Sequence, residues 1–154
     1  MKIIVLAGGL STERDVSLSS AAGICRTLLE KGHDAFLLDV FMGLEHTPEN
    51  LEDVFTLPDH GLDIVKNIST EEPDLAAVKA SRPDQSDCFF GPNVIELCRL
   101  ADITFLGLHG GEGENGKLQA AFDLLGIKYT GPDSLGCAVA MHKGVAKQIF
   151  LESG

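Results

Sequence analysis

The stretch IIVLAGGLSTERDVSLSSAAGICRTLLEKG at 3–32 decides the fold class. Residues 3–7 are continuously apolar and partly β-branched, a pattern typical of a parallel strand that is buried on both faces. Gly8 and Gly9 end that strand, and apolar residues then recur with helical spacing until Gly32. The members of this helix face are Leu18, Ala21, Ala22, Cys25, Leu28 and Leu29. The stretch therefore predicts a strand, a loop and a helix.

The same alternation continues along the chain. Apolar runs predict further strands at 35–40, 103–108 and 127–130, and helical periodicity predicts helices at 94–101, at 118–125 and from 138 onward. Helices that alternate with apolar strands are typical of a parallel sheet covered on both faces. We therefore expect an α/β protein, a three-layer Rossmann-like domain with a mostly parallel sheet.

Residues 43–92 depart from this pattern. They contain five of the six prolines and many charged residues, without a sustained period. Such composition is typical of irregular structure. We predict a long irregular excursion with a short strand near Ile64.

Charge and cysteine usage exclude several classes of protein. The chain of 154 residues suits one domain, or one domain and the start of another. Its formal net charge of -11 would repel nucleic acid or an anionic membrane surface unless a basic patch intervened, and the sequence has no cluster of Lys and Arg. The first apolar run is too short for a signal peptide or a membrane span. We expect a cytoplasmic protein whose four cysteines are reduced, mostly buried and not spaced as metal ligands.

The loop after the first strand is the first candidate site, because open α/β sheets bind ligands at the carboxyl ends of their strands. One interpretation is structural: Ser11 or Thr12 caps the helix, and the carboxylates of Glu13 and Asp15 offset the positive end of its dipole. The other is functional. The Glu13 carboxylate would hold a cationic group, such as a substrate ammonium, by charge-assisted hydrogen bonds. The residues alone leave both interpretations open.

The stretch HGGEGENGKL at 109–118 contains the GxGxxG pattern of dinucleotide-binding proteins and nearly the GxxxxGK[ST] pattern of P-loops. Both matches place Glu112 and Glu114 where a polyanion would lie, and like charges at contact distance repel. Leu118 also stands where a P-loop has Ser or Thr. We therefore interpret the glycines as a sharp turn into a helix.

His109 and Lys143 are the remaining candidates. His109 follows the third strand. Its imidazole either has a purely structural role or donates a hydrogen bond to a substrate carboxylate or to charge that develops during a reaction. Lys143 and Lys147 lie one helical turn apart, which fits a solvated basic face or a phosphate contact. His142 has no partners at metal-ligand spacing, so we predict no metal site.

Three stretches, at 8–21, 106–131 and 140–150, resemble in order the D-alanine–D-alanine ligases of the ATP-grasp superfamily. That family joins two D-alanines for peptidoglycan, and hence for cell wall and cell shape, through an acyl phosphate made from ATP. The resemblance implies a pre-ATP-grasp N-terminal substrate domain at 1–133 and a truncated start of the central ATP-grasp region at 134–154.

The resemblance also implies roles for individual residues. Glu13 would bind the ammonium of the first D-alanine and His109 would lie near the reacting carboxylate, so both count as catalytic. The residues implied to contact the substrate are Glu13, Ser17, His109 and Gly110. Lys143 would contact ATP phosphates, although His142 stands where the family usually has Asp.

The cofactors implied are ATP and Mg²⁺ or Mn²⁺, with the metal ligands beyond residue 154. We therefore expect no ligase activity from this chain alone, and ADP release on adding ATP and D-alanine would contradict that expectation. A homodimer through the N-terminal domain is also implied. The alternatives are a ligase that adds D-lactate or D-serine, and a Rossmann-type dinucleotide-binding module that would bind NAD(H) tightly.

Overall fold

The computed structural model describes residues 1–44, 47–65 and 72–154. Three parallel strands form its sheet: β1 (Lys2–Ala7), β2 (Asp34–Asp39) and β3 (Ile103–Leu106), in the order β2-β1-β3. β1 is buried from its second residue onward, as its continuous apolar run predicts for a central strand. The predicted parallel α/β fold is confirmed.

Seven α-helices are described in these residues. They are α1 (Arg14–Glu30), α2 (Leu75–Ser81), α3 (Val94–Leu100), α4 (Gly111–Glu114), α5 (Lys117–Leu125), α6 (Ser134–Met141) and α7 (Lys143–Ser153). Short 3₁₀ helices span Leu51–Thr56 and Leu62–Ile64.

Alternate residues of β1 serve opposite faces of the sheet, because successive strand side chains point to opposite sides. Val5 and its neighbours on that face pack against α1, where Ala21 and Cys25 are fully buried. Leu6 belongs to the other face, in a cluster that includes Phe122 of α5. The sheet therefore lies between two helical layers, as the three-layer expectation requires.

The excursion contains one wrong prediction. The predicted strand near Ile64 is the 3₁₀ helix Leu62–Ile64, which follows a turn at Gly61 with φ +72. A Cβ at Gly61 would lie 2.1 Å from the Leu37 carbonyl oxygen, so the chain turns tightly against β2 there. The His60 carbonyl accepts a hydrogen bond from the Leu37 amide at 2.9 Å, so this turn lies on the outer edge of β2.

Several element boundaries also differ from the sequence prediction. Helix α2 was not predicted; the Asp74 carboxylate caps it by accepting from the Ala76 and Ala77 amides at 3.0 Å. The predicted strand at 127–130 is reduced to a single parallel bridge between Thr104 and Tyr129. The predicted C-terminal helix is two helices, α6 and α7.

The cysteine prediction agrees with the structure, since Cys25, Cys98 and Cys137 are buried and only Cys88 of the four is exposed. Burial raises the pKa of the Cys25 thiol and of the Cys98 thiol to about 11. Both therefore stay protonated and weakly nucleophilic near neutral pH. Within the residues described, no helix is long and apolar enough to cross a membrane.

Candidate functional site

The candidate site lies where β1 and β3 end. From β1 the chain passes to β2 on one side of that strand, and β3 then pairs on the opposite side of β1. The direction in which strands are added therefore reverses between β1 and β3. Crevices at such switch points are the usual ligand sites of open α/β sheets. The loop from Gly8 to Glu13 and the loop from Gly107 to Gly110 meet there, and Phe89 of the excursion lines the same shallow cleft.

Ser11 joins the two loops. Its hydroxyl donates to the His109 carbonyl at 2.6 Å and accepts from the Glu13 amide at 3.2 Å. The predicted helix cap is therefore only partly right, because the N-cap residue of α1 is Glu13 itself, and its side chain makes no capping hydrogen bond.

The Glu13 carboxylate is exposed and lies against Gly110. A Cβ at Gly110 would be only 2.6 Å from Glu13 Oε2, so the carboxylate occupies the space that a side chain at this position would take. In the described part of the chain, no hydrogen bond or ion pair uses this carboxylate. The carboxylate lies at the N-terminus of α1, where it offsets the helix dipole, and its oxygens are open to solvent.

Gly110 has a second reason to be glycine. Its backbone angles are φ 68 and ψ 178, a region that essentially only glycine occupies. This conformation turns the chain from His109 into α4.

His109 contacts α1 through Ser20, a residue that the sequence analysis did not single out. The Ser20 hydroxyl lies 3.1 Å from His109 Nε2. The sequence signal that could have indicated Ser20 was its position one helical turn after Ser17, on the helix that follows the Glu13 loop. It became informative only once the partner loop was in place.

Ser17 does not fit its predicted contact with substrate. Its side chain is fully buried, its hydroxyl donates to the Gly107 carbonyl at 2.7 Å, and it accepts from the Gly8 amide at 3.0 Å. Because this hydroxyl already donates its proton and is shielded from solvent, it cannot contact a ligand. Ser17 instead holds the ends of β1 and β3 together.

A buried ion pair beneath the Gly8–Gly9 turn was also missed. The guanidinium of Arg14 pairs with the carboxylate of Asp39, with side chains 10% and 4% exposed, and it also donates to the Gly9 carbonyl at 2.8 Å. Asp39 Oδ1 accepts from the amides of Phe41 at 2.9 Å and Met42 at 3.2 Å. The pair thus ties the start of α1 to the ends of β1 and β2.

The glycines of the GxGxxG match serve internal packing. A Cβ at Gly113 would lie 2.5 Å from the Leu108 Cβ, and one at Gly116, where φ is +89, would lie 2.3 Å from the Ser134 carbonyl oxygen. Leu118, at the position of the P-loop Ser or Thr, is buried in the core. This geometry agrees with the sequence argument against a nucleotide loop.

Lys143 lies on a different surface. It is exposed at the start of α7, beside a groove shared with Lys147, Phe150 and Leu151, and the groove has no lining residue in common with the cleft. His142 separates α6 from α7, and its Nδ1 accepts from the Val145 amide at 3.2 Å. Among the residues described, no group of three or more His, Cys, Asp or Glu side chains is placed to hold a metal ion.

Comparisons with known proteins agree with one another. Residues 2–132 match the family model described as D-ala D-ala ligase N-terminus. The chain is 46% identical over 156 aligned residues to a D-alanine–D-alanine ligase of Lacticaseibacillus casei, covering 100% of this chain and 43% of that protein. It is 47% identical to that of Pediococcus pentosaceus, covering 98% of this chain and 43% of the relative. The chain therefore spans about two fifths of the length of these curated relatives.

Two solved structures share the fold. The D-alanine–D-alanine ligase of Bacillus anthracis complexed with ATP matches with a TM-score of 0.60 and 22% identity, over 100% of this chain and 36% of that one. The D-alanine–D-alanine ligase of Coxiella burnetii matches with a TM-score of 0.59 and 24% identity, over 100% and 42% of the two chains.

Proposed function

Because the chain belongs to the D-alanine–D-alanine ligase N-terminal family, we propose that it supplies the pocket for the first D-alanine in a ligase of that kind. The resemblance seen in the sequence motifs is confirmed by the family match and by the relatives. The dinucleotide-binding alternative is not favoured. Since the relatives reported above are named D-alanine–D-alanine ligase, D-alanine is also the second substrate that we propose, rather than D-lactate or D-serine.

The Glu13 carboxylate is the single observation that carries this proposal. It is exposed at the switch point between β1 and β3, it caps nothing, and Gly110 leaves room for it. An ammonium group would meet a full negative charge there and form charge-assisted hydrogen bonds. D-Alanine carries such a group.

His109 and Gly110 complete the proposed pocket. The imidazole lies on the same edge as Glu13, because the Ser11 hydroxyl joins the two loops. An imidazole N–H donates readily to a carboxylate. We therefore assign the ammonium of D-alanine to Glu13 and its carboxylate to His109, while Ser17 braces the loops from below.

ATP and a divalent metal, Mg²⁺ or Mn²⁺, would drive the reaction by activating the D-alanine carboxylate. Lys143 and Lys147 suit the phosphates by charge, since both are exposed along one side of α7. We assign the metal ligands to the part of the relatives that this chain does not span. The chain's own residues bind and orient the first substrate.

The proposed domain boundary, 1–133 and 134–154, has support from the family match, whereas packing changes later in the chain, because Cys137 of α6 is buried and Ser134 lies against Gly116. No residue of α7 is buried, and Phe150 and Leu151 are each 73% exposed. The family match ends at residue 132. The homodimer and the cytoplasmic location stay predictions from the sequence.

Replacing Glu13 by glutamine tests the proposal. We expect D-alanine to shift amide NMR signals of the two loops in the unmodified chain, and E13Q to weaken that binding by at least about tenfold, because a hydrogen bond to a charged group contributes roughly 1.5–3 kcal/mol. The measurement is an NMR titration of the ¹⁵N-labelled chain with D-alanine.

The matched control is Glu30→Gln, which removes an exposed carboxylate at the other end of α1. It should leave D-alanine binding unchanged. Equal affinity of E13Q and the unmodified chain would contradict the assignment of Glu13, and tight NAD(H) binding would revive the dinucleotide alternative.

A further inference from the structure

We propose that Ser20 is a positioning residue for His109, which holds the imidazole with its proton on Nε2 and leaves Nδ1 as the nitrogen that meets a ligand. The functional meaning of this inference rests on the role proposed above for His109. The proton assignment itself rests only on contacts within the chain.

The hydrogen-bonding roles follow from the two contacts of one hydroxyl. Ser20 Oγ lies 3.1 Å from the Ser17 carbonyl oxygen and 3.1 Å from His109 Nε2. A carbonyl oxygen can only accept, so we assign the single hydroxyl proton to the Ser17 contact, which satisfies both partners at once. The Ser20 oxygen must then accept from the ring, which requires a proton on Nε2.

The backbone of His109 is held as well as its ring. The Ser11 hydroxyl binds the His109 carbonyl at 2.6 Å, and the Ser17 hydroxyl binds the preceding Gly107 carbonyl at 2.7 Å. Three serines from the 11–20 stretch therefore hold the loop after β3, and Ser20 alone of them contacts the imidazole. Its removal should change the ring without releasing the loop.

This arrangement gives the two ring nitrogens different tasks. In the described residues, Nε2 has Ser20 as its partner, and Nδ1 has no hydrogen-bond partner. A neutral ring held in this way offers an acceptor at Nδ1, whereas the protonated ring offers a donor there. The contact to a substrate carboxylate proposed above requires the donor, and hence the protonated ring.

The test is the tautomer of His109 in the ¹⁵N-labelled chain, read from the ¹⁵N chemical shifts of its two ring nitrogens at a pH where the ring is neutral. A His109→Gln variant identifies the signals. We expect the unmodified chain to carry the proton on Nε2. In Ser20→Ala the ratio of Nε2–H to Nδ1–H forms should fall by roughly fivefold, the factor that corresponds to an ordinary net hydrogen bond.

Two variants serve as controls. Ser20→Thr retains a hydroxyl that can still bond a carbonyl one turn back, so it should restore the original ratio, and Ser19→Ala makes the same deletion at the neighbouring helix position and should leave the ratio unchanged. A proton on Nδ1 in the unmodified chain would overturn the proposal, as would an unchanged ratio in S20A.

D-Alanine, added to the same samples after the pH is lowered until the ring is protonated, separates this inference from the proposed function, because the proposed contact needs a proton on Nδ1. If the S20A effect is seen but D-alanine leaves the His109 signals unmoved, the proposed substrate contact is wrong and the positioning role of Ser20 stands. If D-alanine moves the signals but S20A has no effect on the ratio, the reverse holds.

Discussion

Replacing Asp39 by asparagine should lower the free energy of unfolding by about 3–5 kcal/mol, because removing one charge of a buried pair leaves the other uncompensated. The pair with Arg14 is almost fully shielded from solvent, with side chains 10% and 4% exposed. Asparagine keeps a carbonyl oxygen for the Phe41 and Met42 amides that Asp39 Oδ1 now serves. The substitution therefore tests the charge rather than the shape or the turn after β2.

Urea denaturation measures this effect as a lower midpoint with an unchanged slope. The matched control is Glu52→Gln, which makes the same carboxylate-to-amide change in the exposed pair with Lys2, at 2.8 Å. Exposed pairs are screened by solvent and contribute little, so the midpoint of E52Q should hardly move. A D39N variant as stable as E52Q would show that the buried pair does not hold these strand ends together.

Replacing Gly110 by alanine should weaken D-alanine binding by at least about tenfold in the titration described above, as much as removing the Glu13 charge. Alanine would adopt φ 68 and ψ 178 only with strain, which costs of order 1–3 kcal/mol. Its Cβ would also lie 2.6 Å from Glu13 Oε2 and 3.4 Å from the Ser11 Cβ. The distance to Ser11 is an ordinary contact, whereas the flexible Glu13 side chain must move away from the new methyl group, which takes the carboxylate out of the proposed ammonium site.

Gly111→Ala provides the comparison, because Gly111 also has a positive φ, +50, yet a Cβ there would meet only the Ser11 Cβ, at 3.6 Å. It should cost roughly 1–2 kcal/mol for the left-handed backbone and retain D-alanine binding. Thermal unfolding and the D-alanine titration of both variants separate backbone strain from damage to the pocket. Binding by G110A at the original affinity would remove Gly110 from the site.

Much of the fold was predictable because it depends on local periodicity. The apolar run that forms β1 and the helical spacing from Leu18 to Leu29 each specify an element without reference to the rest of the chain. The same reasoning failed near Ile64, where Gly61 turns the chain against the edge of β2. A short apolar stretch does not reveal whether the chain turns beside the sheet or extends along its edge.

The candidate site divides in the same way. Glu13 and His109 were predicted as candidates because each follows the end of a strand, a position that sequence can locate, whereas Gly110 was named as a substrate contact only through the family resemblance. The resemblance also implied a substrate contact for Ser17, although its hydroxyl is buried between two backbone groups. Residue type and spacing do not show which way a polar side chain on a helix points.

The sequence by itself determined that strands and helices alternate, that the strands are parallel, and that the loops after β1 and β3 are where a site is proposed. Only the tertiary structure decided which distant residues meet: Ser20 with His109, separated by 89 positions, and Arg14 with Asp39, separated by 25. Hydrophobic periodicity shows which face of an element is buried, but it does not show which other element covers that face. Pairs across the switch point form because β1 lies between β2 and β3, so that three strand ends far apart in the chain share one edge.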